Sequence, residues 1–402
     1  MRTVEDHARV IANLLSPTPL VSIALGHADG LVLGEDLIAT VDLPPFENSA
    51  MDGYAVRAAD IGALPVTLPV SQDIPAGRGD TAPLLAGTAA RIMTGAPLPA
   101  GADVIVQVER TDGGAATVRI DSAPEPGVHI RTKGEDVRAG TVVLPAGTVI
   151  GPPQIGVAAA LGFAQLPLRR PLRVLVLSTG SELVEPGQPL GPGQIYESNA
   201  PMLAAAIAAI GGIATVAHFV ADDVQQFRSV LDEAAADVDL IVTSGGVSAG
   251  AYEVVKDALS GRGIEFAKVA MQPGMPQGAG RYALGGAAGG RQIPIVTLPG
   301  NPVSSFVSFE VFLRPAIRAA MGHPDITRPA AKVPLSTAID SPAGKRQFRR
   351  GQLDTLAGTV APWGGPGSHL LSWLAGADSM IVIGEDVTHL DAGAEVEVWL
   401  LS

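Results

Sequence analysis

Between residues 171 and 324 the chain repeats one pattern: a short run of branched apolar residues, a turn bearing glycine or acid, then a longer helical stretch. RVLVLS at 173–178 reads as a buried strand, PMLAAAIAAIGG at 201–212 as a helix with Asn199 near its cap, and IATVAHFV at 213–220 as a second strand. DVQQFRSVLDEAAA follows as a helix, DLIVTS at 239–244 as a strand, AYEVVKDALS as a helix, and IEFAKVAM and IPIVTLPG as strands. NPVSSFVSFEVFLRPAIRAAMG closes the series as a long helix. Alternation of this kind leaves few solutions, because a parallel pair of strands needs a long crossover and the crossover helices must cover the sheet. The expected fold is α/β with a mainly parallel sheet and right-handed crossovers. Ligands of such sheets sit outside the carboxyl ends of the strands, so the chemistry is expected at one edge.

The flanking segments read differently. Val4, Ala8, Ile11, Leu14 and Leu15 are spaced as a helix that stops at Ser16-Pro17. From about 41 to 150 short Val/Ile/Leu runs are cut by Pro and Gly, as in LPVTLPVSQDIPAG and GTVVLPAGTVIG, which predicts a β-rich module. PPQIGVAAALGF at 152–163 predicts a proline-started helix, with LPLRRP as the linker beyond it. After Pro324 short apolar segments return, ending in MIVIGE and AEVEVWLL, and predict a small β domain from about 325 to 402. A chain of 402 residues exceeds one ordinary core, so several domains are expected.

Charge and composition exclude several functions. A net charge of −13 repels a nucleic-acid backbone and an anionic membrane at long range, so neither is an expected partner. A small anion is still accommodated by local Arg, Lys and backbone N–H groups, since salt screens distant charge within roughly 10 Å. The chain has no cysteine, which removes disulfides, thiolate catalysis and thiolate metal sites and leaves oxygen and imidazole as metal ligands. MRTVEDHARVIANLL lacks an apolar core of signal-peptide length, and no run reaches the roughly 18 apolar residues of a membrane span. The expected location is the cytoplasm.

Polar residues gather where the strands are expected to end. STGSEL occupies 178–183, ADD 221–223, SGGVSAGAYE 244–253 and LPGNPVS 298–304. Gly245, Gly246 and Gly250 let the backbone approach a ligand, and the neighbouring hydroxyls can join a helix N-terminus in holding phosphate oxygens. Glycine turns are also simply turns. Glu182, Asp222, Asp223 and Glu253 lie at the same expected edge, where each acid alone reads as a solvated cap but several together call for a cation. Oxygen ligands beside a phosphate suit magnesium. Two further loops are dense in polar groups: PPFENSAMDGYA at 44–55, with Asn48, Ser49 and Asp52, and HIRTKGEDVRAG at 129–140, with Arg131, Lys133, Glu135, Asp136 and Arg138. Taken alone, each also reads as a polar surface turn.

NSAMDGYA, RIMTGAP, GEDVRAG, STGSEL with PGQPLGPGQIYESN, SGGVSAG and LPGNPVS, in this order and nearly end to end, resemble the molybdopterin molybdenumtransferase family, which includes MoeA and the gephyrin E domain. The resemblance implies an enzyme that binds adenylylated molybdopterin and molybdate, cleaves the adenylyl pyrophosphate bond with magnesium, and leaves metal on the dithiolene. It implies a homodimer in which the loop around Asp52 meets the α/β site of the other chain, and interaction with the adenylyltransferase and with molybdoenzyme apoproteins. It also implies an elongated subunit of four parts, placed here at 1–45 with 140–170, 46–139, 171–324 (the molybdopterin-binding domain) and 325–402, the last barrel-like.

By motif position, Asp52, Glu182, Asp222, Glu253 and Lys268 fall on catalytic groups, and Glu182, Asp222 and Glu253 on the metal ligands. Thr94, Arg131, Asp136, Ser178, Thr179, Gly180, Ser244, Gly245, Gly246, Ser248, Pro299, Gly300, Pro302, Arg350 and Ser368 fall on the substrate-binding set. The chain departs from the pattern where Glu253 replaces the usual aspartate and where MQPGMP, with Gln272 and Met275, replaces a lysine-bearing KPGKP turn. Lys268 and Arg346, Arg349 and Arg350 of KRQFRR are the candidate substitutes, and GGPGSHLLS at 364–372 a candidate pterin contact. Two other readings stand beside this one. A molybdopterin adenylyltransferase shares the central fold, but it is usually a lone domain with a Gly-Gly-Thr-Gly turn, where this chain has Val247 and Ser248 after its two glycines. A gephyrin-like scaffold would not need the intact acid set.

Overall fold

The computed structural model describes residues 1–219, 224–246, 254–286 and 290–401. The chain forms two compact units, one of residues 1–21, 30–34 and 167–402 and the other of 22–29 and 35–166.

The first unit is built on a six-stranded sheet in the order Ile213–Phe219, Arg173–Thr179, Leu240–Ser244, Gln292–Leu298, Pro276–Ala283, Ile264–Lys268. The first four strands are parallel, and only Pro276–Ala283 runs against the rest. Arg173–Thr179, Leu240–Ser244 and Gln292–Leu298 are buried on both faces along nearly their whole length, which is why they read as unbroken apolar runs. Val174, Val176 and Val242 face a core shared with Leu203 and Ile207 of the Asn199–Ala209 helix and with Phe309 and Phe312. Leu175, Leu177 and Ile241 face the opposite core, with Phe227 and Leu231 of Val224–Ala234 and Val255 and Leu259 of Val254–Leu259. The closing helix is interrupted: Pro302–Ser308 leads into a π turn at Phe309–Leu313 before Arg314–Ala320. Pro315 has no N–H for the Val311 carbonyl, and the widened turn accommodates that loss.

IEFAKVAM is not one strand. Ile264–Lys268 ends the central sheet, and Met271–Gln272 instead pairs with Arg346–Gln347 of a second six-stranded sheet made chiefly from residues 330–400. In that sheet Arg346–Asp354, Ser379–Ile383 and Glu395–Leu400 are antiparallel neighbours, around a core of Ile381, Ile383, Val396 and Val398. Pro276–Ala283 was not expected from its glycine-rich sequence. Its glycines answer to crowding: a Cβ on Gly280 would stand 2.1 Å from the Gly263 carbonyl oxygen, and one on Gly278 2.2 Å from Thr297 Oγ1.

The second unit holds a five-stranded sheet in the order Val104–Gln107, Gly53–Val56, Ala89–Ile92, Val66–Ile74, Thr117–Ile120. Tyr54, Val56, Val104 and Val106 pack on one face, and Ala55, Ile92 and Ile105 on the other. Pro152–Ala160 forms the expected helix, its first turn closed by Gly151 N–H donating to Gln154 Oε1 at 3.2 Å. No helix among the described residues is long and apolar enough to cross a membrane.

Candidate functional site

The strand order reverses beside Arg173–Thr179, because the chain goes from that strand to Ile213–Phe219 on one side and then to Leu240–Ser244 on the other. A crevice opens at such a switch point, outside the carboxyl ends. Ser178 and Ser244 are register partners there. The turn after Ser244 has to be glycine, since Gly245 and Gly246 have φ of 96° and 64° and a Cβ on Gly245 would stand 2.6 Å from the Thr179 carbonyl oxygen. Thr179 Oγ1 is buried there without a hydrogen-bond partner among the described residues. Ser248, Asp222 and Glu253 lie outside the described residues.

Glu182 is exposed, and its carboxylate folds back beside Gly180, whose Cβ would stand 2.6 Å from Glu182 Oε2. Its backbone is tied into a two-stranded parallel ladder of Leu183–Val184 with Ile195–Tyr196, in which Ile195 N–H donates to the Glu182 carbonyl at 2.9 Å. Where this ladder ends, two residues that the motif reading did not single out for the site complete the edge. Glu197 is buried, and its Oε1 accepts from Ser178 Oγ at 2.7 Å and from Ala200 N–H at 2.9 Å. Asn199 is the first residue of its helix, next to the cap Ser198, and its Nδ2 donates to Ser244 Oγ at 2.8 Å and to the Gly300 carbonyl at 2.7 Å. Ser178 is only 2% exposed, so its hydroxyl serves this network rather than open solvent.

Pro299, Gly300 and Pro302 lie on the turn between Gln292–Leu298 and its helix, with Pro302 at the first helical position. This turn carries the loop bearing Ser368: Asn301 Nδ2 donates to Ser368 Oγ at 2.9 Å and Val303 N–H to the Ser368 carbonyl at 3.1 Å. Arg350 is 5% exposed and donates to the carbonyls of Trp363, Gly365, Gly367 and Leu370. It therefore orders the Ser368 loop from within. Arg346 is engaged with Glu5 and with Glu385, the latter at 3.1 Å. Arg349 has no carboxylate partner among the described residues, and burial pushes its pKa down. It lines a cleft with Gln272, Gln347 and Ser341. Lys268 is exposed and ends its strand at the same carboxyl edge, but four strands from Arg173–Thr179, roughly 19 Å away at the usual strand spacing.

In the second unit Asp52 and Thr94 are in contact. Asp52 Oδ1 accepts from Thr94 N–H at 2.6 Å and from Thr94 Oγ1 at 2.7 Å. The Thr94 backbone and hydroxyl donors, with Arg91 nearby, hold the Asp52 pKa below the usual carboxylate range. The strand Asn48–Ser49 pairs with Ile130–Arg131, which brings the Arg131 backbone to the loop that carries Asp52. Arg131 and Asp136 are exposed. Among the described residues no three His, Asp or Glu side chains gather as metal ligands; of the three expected ligands only Glu182 is described.

Three family models match in order: the MoeA N-terminal region (domains I and II) over residues 2–162, a probable molybdopterin binding domain over 175–319, and the MoeA C-terminal region (domain IV) over 332–401. Molybdopterin molybdenumtransferase 2 of Mycobacterium tuberculosis is 54% identical over 413 residues, covering 100% of both chains. The molybdopterin molybdenumtransferase of Haemophilus influenzae is 33% identical over 98% of this chain and 97% of its own. A crystal structure of a molybdopterin biosynthesis MoeA protein from Pyrococcus horikoshii superposes with a TM-score of 0.82 at 30% identity, covering 100% of this chain and 99% of that one. With a glycine turn at the switch point, a multi-domain α/β fold and full-length relatives at this identity, the chain belongs to the molybdopterin molybdenumtransferase family.

Proposed function

We propose that this chain takes molybdate and adenylylated molybdopterin and releases AMP, leaving molybdenum on the dithiolene. The observation that carries this reading is the Gly245-Gly246 turn pressed onto Thr179 beside Glu182, an anion cradle at the switch point of a chain from this family. The Thr179 hydroxyl, buried there without a partner among the described residues, is the donor proposed to meet a pyrophosphate at this edge, since Gly245 N–H already bonds the Leu298 carbonyl at 3.2 Å and Val303 N–H the Ser368 carbonyl at 3.1 Å. Water adds to the adenylyl phosphorus while the bond to the bridging oxygen breaks, so AMP leaves with the new oxygen and the pterin keeps its phosphate. Acids at this edge position and deprotonate that water.

Magnesium is part of the proposal. Glu182, Asp222 and Glu253 would hold it; the donor set is all oxygen, and the Glu182 carboxylate is exposed without an ion-pair partner among the described residues. Once bound, the ion would supply neutralisation of pyrophosphate charge. Lys268 is proposed to reach the outer part of the ligand, as its strand lies away from the crevice. Thr94 is proposed to orient Asp52, and Arg131 and Asp136 to complete that surface.

A homodimer is proposed, in which Asp52 of the partner subunit completes the site. The adenylyltransferase and molybdoenzyme apoproteins are proposed as transient partners, in the cytoplasm. The subdivision at 1–45 with 140–170, 46–139, 171–324 and 325–402 is supported by the confinement of the five-stranded sheet to residues 53–120. Reconstitution with adenylylated molybdopterin, molybdate and magnesium tests the reading: AMP release and metal incorporation should rise together and require all three. AMP release without metal incorporation would overturn it, as would formation of a nucleotide adduct from molybdopterin and ATP.

A further inference from the structure

We propose that Glu197 is a positioning residue for this reaction: it sets the first strand-end loop and, through the ladder that loop forms, the place of the Glu182 carboxylate. The inference rests on the proposed function for its catalytic consequence and on geometry alone for its structural one.

A carboxylate that is 4% exposed is costly unless hydrogen bonds stabilise it. Here Oε1 takes both donors within reach, the Ser178 hydroxyl at 2.7 Å and the Ala200 amide at 2.9 Å. The first belongs to the carboxyl end of Arg173–Thr179 and the second to the first turn of the Asn199–Ala209 helix, where the helix dipole favours negative charge. Glu197 also donates its own N–H to the Val184 carbonyl at 2.9 Å, two residues along each strand from the bond between Ile195 N–H and the Glu182 carbonyl. One residue thus joins strand and helix through its side chain and the ladder through its backbone N–H, and the ladder carries Glu182.

Fold stability by itself does not require this choice. A serine or asparagine caps a helix start with less buried charge, whereas Glu197 leaves Oε2 buried without a donor among the described residues. No Lys or Arg forms an ion pair with it among the described residues. Its side chain spans from the ladder to Ser178. Asn199 works in parallel on the neighbouring loops, through Ser244 and Gly300, so Glu197 and Asn199 each hold their own part of the edge.

The test compares full-length Glu197→Ala with Glu197→Gln, which keeps an acceptor at Oε1. With adenylylated molybdopterin, molybdate and magnesium, Glu197→Ala is expected to lower kcat about tenfold or more with KM for molybdate unchanged, and Glu197→Gln to stay within about threefold of wild type. Hydrogen exchange read on the same proteins should quicken in Glu197→Ala at residues 182–184 and 195–197 and remain unchanged in the 203–209 helix and the sheet. Ser178→Ala should reproduce part of the effect, and the double variant should add little to Glu197→Ala. Wild-type kcat with unchanged exchange in Glu197→Ala would overturn the proposal. So would an exchange increase spread through the whole domain, which marks a merely structural residue. If wild type itself releases no AMP, the functional reading fails, and the exchange pattern alone then decides whether Glu197 holds the loop.

Discussion

At the scale of single residues the site depends on a few atoms placed without slack. Gly245 is the sharpest case, because its backbone conformation and the nearness of the Thr179 carbonyl both exclude a side chain. Gly245→Ala is expected to destabilise the domain by about 1–3 kcal/mol and to remove anion binding, read by denaturant unfolding and by titration with AMP and magnesium. Glu182→Ala is expected to do the opposite: an exposed side chain tied to the fold mainly through its backbone should be removed with a change in stability within about 0.5 kcal/mol. AMP release should nevertheless disappear; full activity would exclude Glu182 from the chemistry. Arg350 shows why residue type alone misleads. An arginine near a proposed oxyanion reads as its ligand, yet this one is spent on carbonyls of the loop at 363–370. Arg350→Lys keeps the charge but cannot serve those acceptors together, so it should loosen the Ser368 loop, seen as faster exchange at residues 364–370.

At the scale of elements, the N-terminal helix Val4–Ala12 gives the chain a measurable pH response. His7 is fully buried against Phe312, with ring centroids 4.8 Å apart, and burial, aided by Arg2, pushes its pKa down to about 4 from 6.5. The folded state holds this ring neutral, so between pH 6.5 and 4 the unfolded chain binds the extra proton. Stability from His7 is therefore present above pH 6.5, falls as pH drops toward 4, and is flat below. The loss should be about 3 kcal/mol by the size of that displacement, and His7→Leu should flatten the unfolding free energy across this window. An unchanged pH profile in that variant would place the titration elsewhere, with His323, similarly lowered to about 4 by burial, the next group to replace. Elements were legible in the sequence to the extent that their own residues carried the signal. Arg173–Thr179, Leu240–Ser244 and Gln292–Leu298 announced themselves because a strand buried on both faces needs branched apolar residues at every position. Pro276–Ala283 did not, because its glycines are required by Phe266, Thr297 and Gly263, all of which lie on other strands or turns.

At the scale of the whole molecule, the proposed dimer makes a prediction that no single-chain variant can. Asp52→Ala and Glu182→Ala should each be inactive. Mixed and allowed to exchange subunits, they should recover about a quarter of wild-type AMP release, because half of the dimers then contain one intact site. No recovery, with exchange verified by mass, would place both residues in the same chain's site or in none.

The sequence by itself determined the α/β alternation, the edge at which polar loops gather, and the family, since these follow from periodicity and from ordered local motifs. Only the tertiary structure decided that Glu197 closes on Ser178, that Asn199 spans to Ser244 and Gly300, and that Arg350 turns inward. The reason is physical. A strand or a glycine turn is selected by the residues that compose it, whereas a side chain that ties elements together is selected by partners brought to it from 13 to 101 positions away, and those become visible once the chain has closed on itself.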